Sequence, residues 1–446
     1  MCSESFILNM NHTANTIKTG SFAIATLGCK VNQFESADII QQLCNAGWQQ
    51  VDFDEVADLY LVNSCTVTMK SDAESRKLLR RARRNNPFAR VVATGCYAQV
   101  SAADLQALTE VDQVLGNREK HDILRHISLG ESQVSRLESD TEQPSLRLTS
   151  FADHTRAFLQ IQTGCENFCS YCIVPFARGP NRSVAADELL AAVRRLAANG
   201  YREIVLTGIH LGAYQPGIAA LLRQLEQEGT VERIRLGSLE PNELDGELLE
   251  LIANSSCICP HLHLPLQSGS DSVLKRMKRC YDAAFYQQQV LKTAKLMPDA
   301  FLAADVIVGF PGETEKEFKE TCTLIESLPL ADLHVFPYSR RPGTEAALMK
   351  NQLPAAVIKE RSAFLHQIAR RKLQQFRQLF VGKELELLGQ QYDEKTGKVR
   401  GLSRNYLDVD FSGSDADINQ LRMVKVEKID GDRLFGEHRI SKGACK

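Results

Sequence analysis

The sequence has no apolar run approaching the roughly 18–20 residues needed to cross a bilayer, so a helical membrane span is not expected. Residues 1–20 are polar and lack the apolar stretch of a secretory signal, so the expected address is cytoplasmic. Excess charge is missing too. Lys and Arg number 53 against 55 Asp and Glu, and the formal net charge of −2 does not advertise nucleic-acid binding, although local patches can hide in such a sum. There is no internal repeat and no low-complexity tract. With 43% hydrophobic and 24% charged residues, the chain reads as an ordinary globular protein, long enough for two or three domains.

Cysteine, by contrast, is plentiful. Thirteen cysteines in a reducing compartment point to metal binding or redox chemistry rather than a disulfide framework. Cys2, Cys44, Cys257, Cys259, Cys280, Cys322 and Cys445 share no ligand pattern and read as ordinary buried or surface residues.

The pattern of apolar runs divides the chain into blocks of α/β class. From about Ser21 to Ile127, the runs Phe22–Leu27, Leu59–Val62 and Val91–Ala93 alternate with helical stretches, as in a parallel sheet with crossover helices. From about Gly130 to Thr149 the chain turns polar and reads as a linker. From about Phe151 to Leu353, strand-like runs ending in polar or glycine turns alternate with helices such as Asp187–Asn199 and Glu315–Leu328. This suggests a full or partial β/α barrel with its chemistry at the strand C-termini. Leu365, Ile368, Ala369, Leu373, Phe376 and Phe380 recur at helical spacing and predict a connecting helix. Short strands from about Val381 to Arg439 suggest a small antiparallel barrel.

Two sets of cysteines carry a chemical reading. Cys165, Cys169 and Cys172 form C-x3-C-x2-C after the strand-like run Phe158–Ile161. Three thiolates hold three irons of a cubane and leave the fourth open to a small chelator, such as the methionine part of S-adenosylmethionine (SAM). Buried cysteines or a zinc site are the competing readings. Cys29, Cys65 and Cys96 each follow a predicted strand, and a parallel sheet brings the C-terminal ends of its strands to one edge. A second open cluster is favoured there, with a catalytic thiol or zinc site as alternatives. Gly309, Gly312 and Glu313 lie in the strand-to-turn string Asp305–Glu313, a candidate wall for SAM's adenosine. Thr207 and Gly208 are a weaker candidate for the methionine end. Tyr171 and Phe168 either pack beside the adenine or shield the cluster from water.

These strings resemble the methylthiotransferases of the radical SAM superfamily over nearly the whole chain. The match rests on Thr26–Gln33, on the cysteine loop continuing into Ile173–Gly179, and on His263–Asp271. The resemblance implies three domains: 19–130 binding an auxiliary cluster, 151–375 the radical SAM core, and 378–441 a TRAM-like RNA-binding barrel. It implies two [4Fe–4S] clusters, one on Cys165, Cys169 and Cys172 and one on Cys29, Cys65 and Cys96. The implied chemistry replaces an aromatic C–H by C–S–CH3. One SAM supplies the methyl group, and another is cleaved to a 5′-deoxyadenosyl radical. Leu27–Gln33, His154–Leu159 and His334–Thr344 look most like the MtaB type, which acts on N6-threonylcarbamoyladenosine at position 37 of tRNA. One departure is that Thr207-Gly208-Ile209 lacks the Glu of a Gly-Gly-Glu motif, which puts the contact to SAM's amino group in doubt.

The partners so implied are the tRNA anticodon stem-loop, a reducing electron donor such as flavodoxin, and a sulfur donor. Two basic runs are candidate phosphate contacts: Arg76, Lys77, Arg80, Arg81, Arg83 and Arg84 on a helix opened by a capping box at Ser71–Glu74, and Arg361, Arg370, Arg371, Lys372 and Arg377 on the connecting helix. Such runs are also common as solvated faces. Alternative substrates within the family are isopentenyladenosine in tRNA or a ribosomal protein. A reading from another class is a non-catalytic iron–sulfur RNA-binding regulator, against which the open-iron loop argues.

Overall fold

The structure is a computed structural model and describes residues 20–137, 146–151 and 155–438. Cys2, Cys445 and His154 lie outside the described residues, as do the outer ends of the first and last expected domains. The first unit is a parallel sheet of β1 (Ser21–Thr26), β2 (Gln49–Gln50), β3 (Leu59–Ser64), β4 (Arg90–Gly95) and β5 (Gln113–Val114). Its order is β2-β1-β3-β4-β5. Successive strand side chains point to opposite faces, so each strand feeds two layers. Phe22, Leu59, Leu61 and Val92 pack with Ile39 and Leu43 of helix α1 (Lys30–Asn45). Ala23, Tyr60, Val62 and Val91 pack with Leu79 of helix α2 (Met69–Asn85). Each fully buried large apolar side chain contributes about 1.5–3 kcal/mol. Helix α2 starts earlier than the expected capping box: Thr68 is the cap, its hydroxyl accepting from the Ser71 N–H at 3.1 Å.

The second unit contains β6 (Arg156–Gln160), the short antiparallel pair β7 (Gln162–Thr163) and β8 (Arg182–Ser183), then β9 (Glu203–Thr207) and β10 (Arg233–Leu236). It continues through β11 (His261–His263), β12 (Phe301–Val308) and β13 (Asp332–Pro337). Two parallel sheets, β6-β9-β10 and β11-β12-β13, are joined by a bridge between Ile234 and Ile258. The result is a six-stranded partial barrel whose mouth lies between β6 and β13. Helix α1 packs against β6, with Phe34 in the barrel's core cluster, and the connecting helix Ala355–Gln378 packs along β13.

The expected linker is less free than its polarity suggests. Gln133 bridges in parallel to Leu115, and Leu146 and Leu148 are buried in the barrel core. The last unit is a closed barrel of β14 (Glu384–Asp393), β15 (Lys398–Ser403), β16 (Asp408–Ser412), β17 (Leu421–Asp430) and β18 (Arg433–His438). It is mixed rather than antiparallel, because β16 and β18 run parallel. Five strands cannot alternate direction all the way round a closed ring, so one pair must be parallel.

Candidate active site and metal centres

Cys65 and Cys96 directly follow β3 and β4, and Cys29 follows β1 after the turn Leu27-Gly28, all on one edge of the parallel sheet. Gly28 turns with φ +99, and a Cβ there would lie 2.8 Å from Cys65 Sγ, so only glycine permits this approach. Asn32 Nδ2 donates to the carbonyls of Leu27 and Ser64 at 2.7 and 3.0 Å, tying the turns together. Burial pushes the Cys29 and Cys65 thiols up. The cation beside them comes from the other unit. Arg178 Nε donates to Cys96 Sγ at 3.2 Å, and its amino groups donate to Asn32 and Glu35. Lys120 Nζ meets the same Glu35 at 2.6 Å. Burial pushes the Glu35 carboxyl up, but Arg178 and Lys120 outweigh this and hold it down at about 2.

The C-x3-C-x2-C loop follows β7. Ser170 anchors it, its N–H donating to Met277 O at 3.1 Å and its hydroxyl to Arg276 O at 2.8 Å. Arg279 Nη1 donates to Cys169 Sγ at 3.2 Å while its other amino group pairs with Glu240. His210 Nδ1 lies 3.9 Å from Cys165 Sγ and its Nε2 pairs with Glu243. Burial disfavours the charged ring, but the bonds to Cys165 and Glu243 prevail and raise His210 to about 10. Burial pushes Cys172 up to about 12. Thiols so shielded ionise when a metal takes the place of their protons.

Between the two units lies a cavity of about 170 Å³. Val67 and Thr68 line it from the first unit, Tyr171 to Val174 from the loop, and Gln267, Asp305, Ile307 and Phe336 to Ser339 from the barrel. Asp305 Oδ1 accepts from His263 Nε2 at 2.9 Å and His334 Nδ1 at 3.2 Å, and His263 Nδ1 lies 2.6 Å from Ser238 Oγ. Burial raises the Asp305 carboxyl, but the two imidazole bonds overcome it and hold it at about 2. Deeper in the barrel, Glu203 accepts the Arg235 fork at 2.7 and 3.2 Å. Burial, with the charges of Arg156 and Arg235, lowers the nearby Lys30 ammonium to about 8.

The structure sorts the other candidate residues. Tyr171 lines the cavity beside Cys172. Thr207 is buried, and Gly208 sits against Gln162, whose Oε1 accepts from His210 N at 2.8 Å; this turn thus sets the position of His210. The Gly309–Glu313 turn, expected at the adenosine wall, presses instead on the connecting helix. A Cβ at Gly309 would lie 2.4 Å from Ile358 Cγ1, and Gly312 N donates to Asn351 O at 2.6 Å. The Glu313 carboxylate accepts from Gly309 N at 2.8 Å and pairs with Arg361 at 2.6 Å, so it is already satisfied. Asp305 and Ile307, earlier on the same strand, line the cavity.

The basic run on α2 is not free of acids in space. Arg80 lies 3.6 Å from Glu110, Arg81 pairs with Asp54, and Arg83 pairs with Asp112 at 2.6 Å. Arg84 is exposed with no side-chain partner among the described residues. On the connecting helix Arg370 is exposed and Arg371 pairs with Glu326. Lys372 turns inward to donate to Leu328 O at 2.7 Å, and Arg361 is likewise turned inward. Helical periodicity explains this, since a dense run covers more than one face. The sequence reading missed Arg178, Lys30, His263 and His334, although all lie inside the strings that carried the resemblance, and Asp305, although it opens the candidate wall Asp305–Glu313. His210, Arg279, Glu35 and Lys120 have no local signal.

Neither trio is drawn together as a compact single-ion site. Among the described residues, only His263, Asp305 and His334 bring three ligand atoms of the His, Cys, Asp or Glu type within 4.8 Å of one another. Tetrahedral zinc, with bonds of about 2.3 Å, would draw its sulfurs to about 3.8 Å apart. N–H donors from Arg178 and Arg279 reach one sulfur of each trio, the kind of bond that tunes the thiolate ligands of a cluster.

Comparison with known proteins agrees with this geometry. A profile described as Uncharacterized protein family UPF0004 matches residues 21–116, and that of the Radical SAM superfamily matches residues 159–325. The chain is 40% identical over 422 residues to the threonylcarbamoyladenosine tRNA methylthiotransferase MtaB of Bacillus subtilis, covering 91% of this chain and 93% of that one. It is 38% identical to the protein of the same name from Aquifex aeolicus, covering 88% and 96%. A tRNA-2-methylthio-N(6)-dimethylallyladenosine synthase of Trichlorobacter lovleyi is 34% identical, covering 93% and 98%. The fold is similar to that of the radical SAM methyltransferase TsrM from Kitasatospora setae, with a TM-score of 0.55 at 15% identity over 74% of this chain and 77% of that one. A C-x3-C-x2-C loop at the strand ends of a partial barrel, joined to a second cysteine-edged sheet, thus comes with this relatedness along nearly the whole chain: the protein belongs to the radical SAM methylthiotransferases, enzymes that use a [4Fe–4S] cluster and SAM.

Proposed function

We propose that the protein replaces the C2–H of N6-threonylcarbamoyladenosine at position 37 of tRNA by C–S–CH3, using two open [4Fe–4S] clusters. The carrying observation is the pair of cysteine trios on adjoining units, linked by Arg178 and with a cavity lined from both. The choice of nucleoside follows two relatives named for it, at 40% and 38% identity, against 34% for the dimethylallyladenosine enzyme.

A cluster on Cys165, Cys169 and Cys172, with SAM on its open iron, supplies when bound the radical chemistry that an inert aromatic C–H requires. The chain's own residues position and shield. Arg279 and His210 fix two of the three sulfurs on the loop. Tyr171, Ile307, Phe336 and Tyr338 give the cavity apolar walls, which exclude water from a reactive site and suit a flat base. Cys29, Cys65 and Cys96 would hold the auxiliary cluster at which sulfur is delivered, and Arg178 keeps that edge registered against the loop. The anticodon stem-loop would be gripped by exposed cations such as Arg84 and Arg370 and by the C-terminal barrel, read as TRAM-like. An electron donor such as flavodoxin, a sulfur donor and a cytoplasmic setting complete the proposal.

The test is mass spectrometry of tRNA nucleosides from a strain lacking the gene. Loss of the 2-methylthio form, accumulation of unmodified threonylcarbamoyladenosine, and restoration by the wild-type gene but not by Cys165→Ala are expected. An unchanged nucleoside profile would refute it.

A further inference from the structure

The mouth of the partial barrel holds more positive charge than its neighbours satisfy. Lys30, the first residue of α1, lies where α1 packs on β6, within the electrostatic reach of Arg156 on β6, Arg235 on β10 and His334 on β13. It makes neither a hydrogen bond nor an ion pair among the described residues. Arg156 has only weak partners, its guanidinium lying 5.9 Å from the centroid of the Tyr406 ring. Its Nη1 is buried without a hydrogen-bond partner and approaches Glu203 Oε1 only to 3.6 Å. Glu203 is committed elsewhere, since both of its oxygens accept from the Arg235 fork, and Arg233 Nη1 lies 3.6 Å away. Arg233 in turn pairs with Glu386 at 3.0 Å. Lys30, Arg156, Arg233 and Arg235 therefore share the carboxylates of Glu203 and Glu386. Asp408, exposed on the C-terminal barrel, is within the field of Arg156 but makes no hydrogen bond to it. A buried donor without an acceptor is costly and calls for a ligand that supplies one.

This cationic corner connects to the cavity through His334 and Asp305. Asp305 lines the cavity and bonds His334, and His334 lies within the field of Lys30. The charge of Asp305 is taken up by His263 and His334, so it does not bar an anion. On the other side Lys30 directly follows Cys29. An anionic group bound here would sit between the cavity and the first cysteine trio.

We propose that Lys30 and Arg156 form the subsite that receives the free carboxylate of the threonyl group on the modified adenosine, an inference that rests on the functional reading above. C2 and the N6 substituent share one edge of adenine, so holding the carboxylate also fixes where C2 lies. An apolar N6 substituent cannot neutralise these cations, and a nucleoside with no N6 substituent does not reach them. The subsite therefore selects the acidic nucleoside and orients it.

The experiment measures equilibrium binding of the iron-loaded protein to three anticodon stem-loops under anaerobic conditions. They carry threonylcarbamoyladenosine, its methyl ester, or unmodified adenosine at position 37. The wild type should bind the acid about 10- to 100-fold more tightly than the ester, the range of a hydrogen bond between charged partners. Lys30→Met and Arg156→Gln should each bring the acid-to-ester ratio towards one and leave affinity for the unmodified stem-loop unchanged. Iron content and melting midpoint confirm that each variant is folded, and Arg156 lies outside the cysteine-bearing segment. If Lys30 instead contacts a backbone phosphate, Lys30→Met will weaken all three stem-loops alike, which overturns the proposal. An acid preference retained in both variants also overturns it. So does a wild type that methylthiolates threonylcarbamoyladenosine but binds acid and ester equally, although the functional reading then stands. Failure of that reading shows separately, as absence of methylthio product from tRNA carrying threonylcarbamoyladenosine.

Discussion

Glu35 is the residue whose removal most directly tests how the two units are held together. Its carboxylate is shared by Arg178 and Lys120, whose side chains are each 3% exposed, while Glu35 itself is 11% exposed. Glu35→Gln leaves two buried cations without their common counter-ion. Breaking a buried ion pair from one side costs about 3–5 kcal/mol. An independent figure comes from Glu35 itself. Lowering its pKa from 4.5 to about 2 corresponds to about 3.4 kcal/mol. At about 2–4 °C per kcal/mol, the melting midpoint of the iron-free protein at neutral pH should fall by roughly 6–20 °C. The sign of the pH dependence follows from a folded-state pKa below the unfolded one. The stabilisation is complete above about pH 4.5 and is lost as pH falls through about 2, so the gap between wild type and variant narrows over that window. Adding Lys120→Met removes one of the two stranded cations and should recover part of the loss. Scanning calorimetry or dye-monitored melting reads all three proteins. A Glu35→Gln protein that melts with the wild type at neutral pH would refute the buried network as a structural tie.

Anaerobically reconstituted protein should carry about eight irons, and Ala replacement of either cysteine trio should leave about four, read by iron assay and electron paramagnetic resonance. Full iron in the Cys29, Cys65 and Cys96 triple variant would contradict the auxiliary site. Arg279→Lys cannot reach both Cys169 and Glu240 as the fork does, so the cluster on the loop should lose an N–H donor to sulfur. Its midpoint potential should become more negative in a redox titration. Arg84→Ala and Arg370→Ala should each lower the slope of log tRNA affinity against log salt by roughly 0.7–0.9, whereas Arg83→Ala, which breaks a pair with Asp112, should act mainly on stability.

Much of this arrangement is legible in the chain itself. The runs at Phe22–Leu27, Leu59–Val62 and Val91–Ala93 are apolar and partly β-branched, and the strands there end beside the three cysteines. A parallel sheet therefore brings residues tens of positions apart to one rim without any local motif. The charged barrel interior is what alternation hides. Arg233-Ile234-Arg235-Leu236 reads as a strand with its arginines towards water, yet both arginines are 0% exposed because Glu203 and Glu386 meet them inside. Arg279 and His210 are equally invisible, since their sulfur partners lie far away in sequence. The cap at Thr68 was missed because Ser71 fits the same local rule, and the choice between them rests on where α2 meets the sheet. The parallel pair in the last barrel follows from closure of the whole ring, which no single strand records.

The central claim is that this chain uses radical chemistry at C2 of threonylcarbamoyladenosine. It is tested most directly with tRNA deuterated at C2 of residue 37, incubated anaerobically with the reconstituted, sulfide-loaded protein, SAM and a low-potential reductant. Mass spectrometry should find 2-methylthio product together with deuterium in the 5′-deoxyadenosine formed, and Cys165→Ala should abolish both. Methylthio product accompanied only by deuterium-free 5′-deoxyadenosine, or deuterium fully retained in the tRNA while SAM is consumed, would contradict the account.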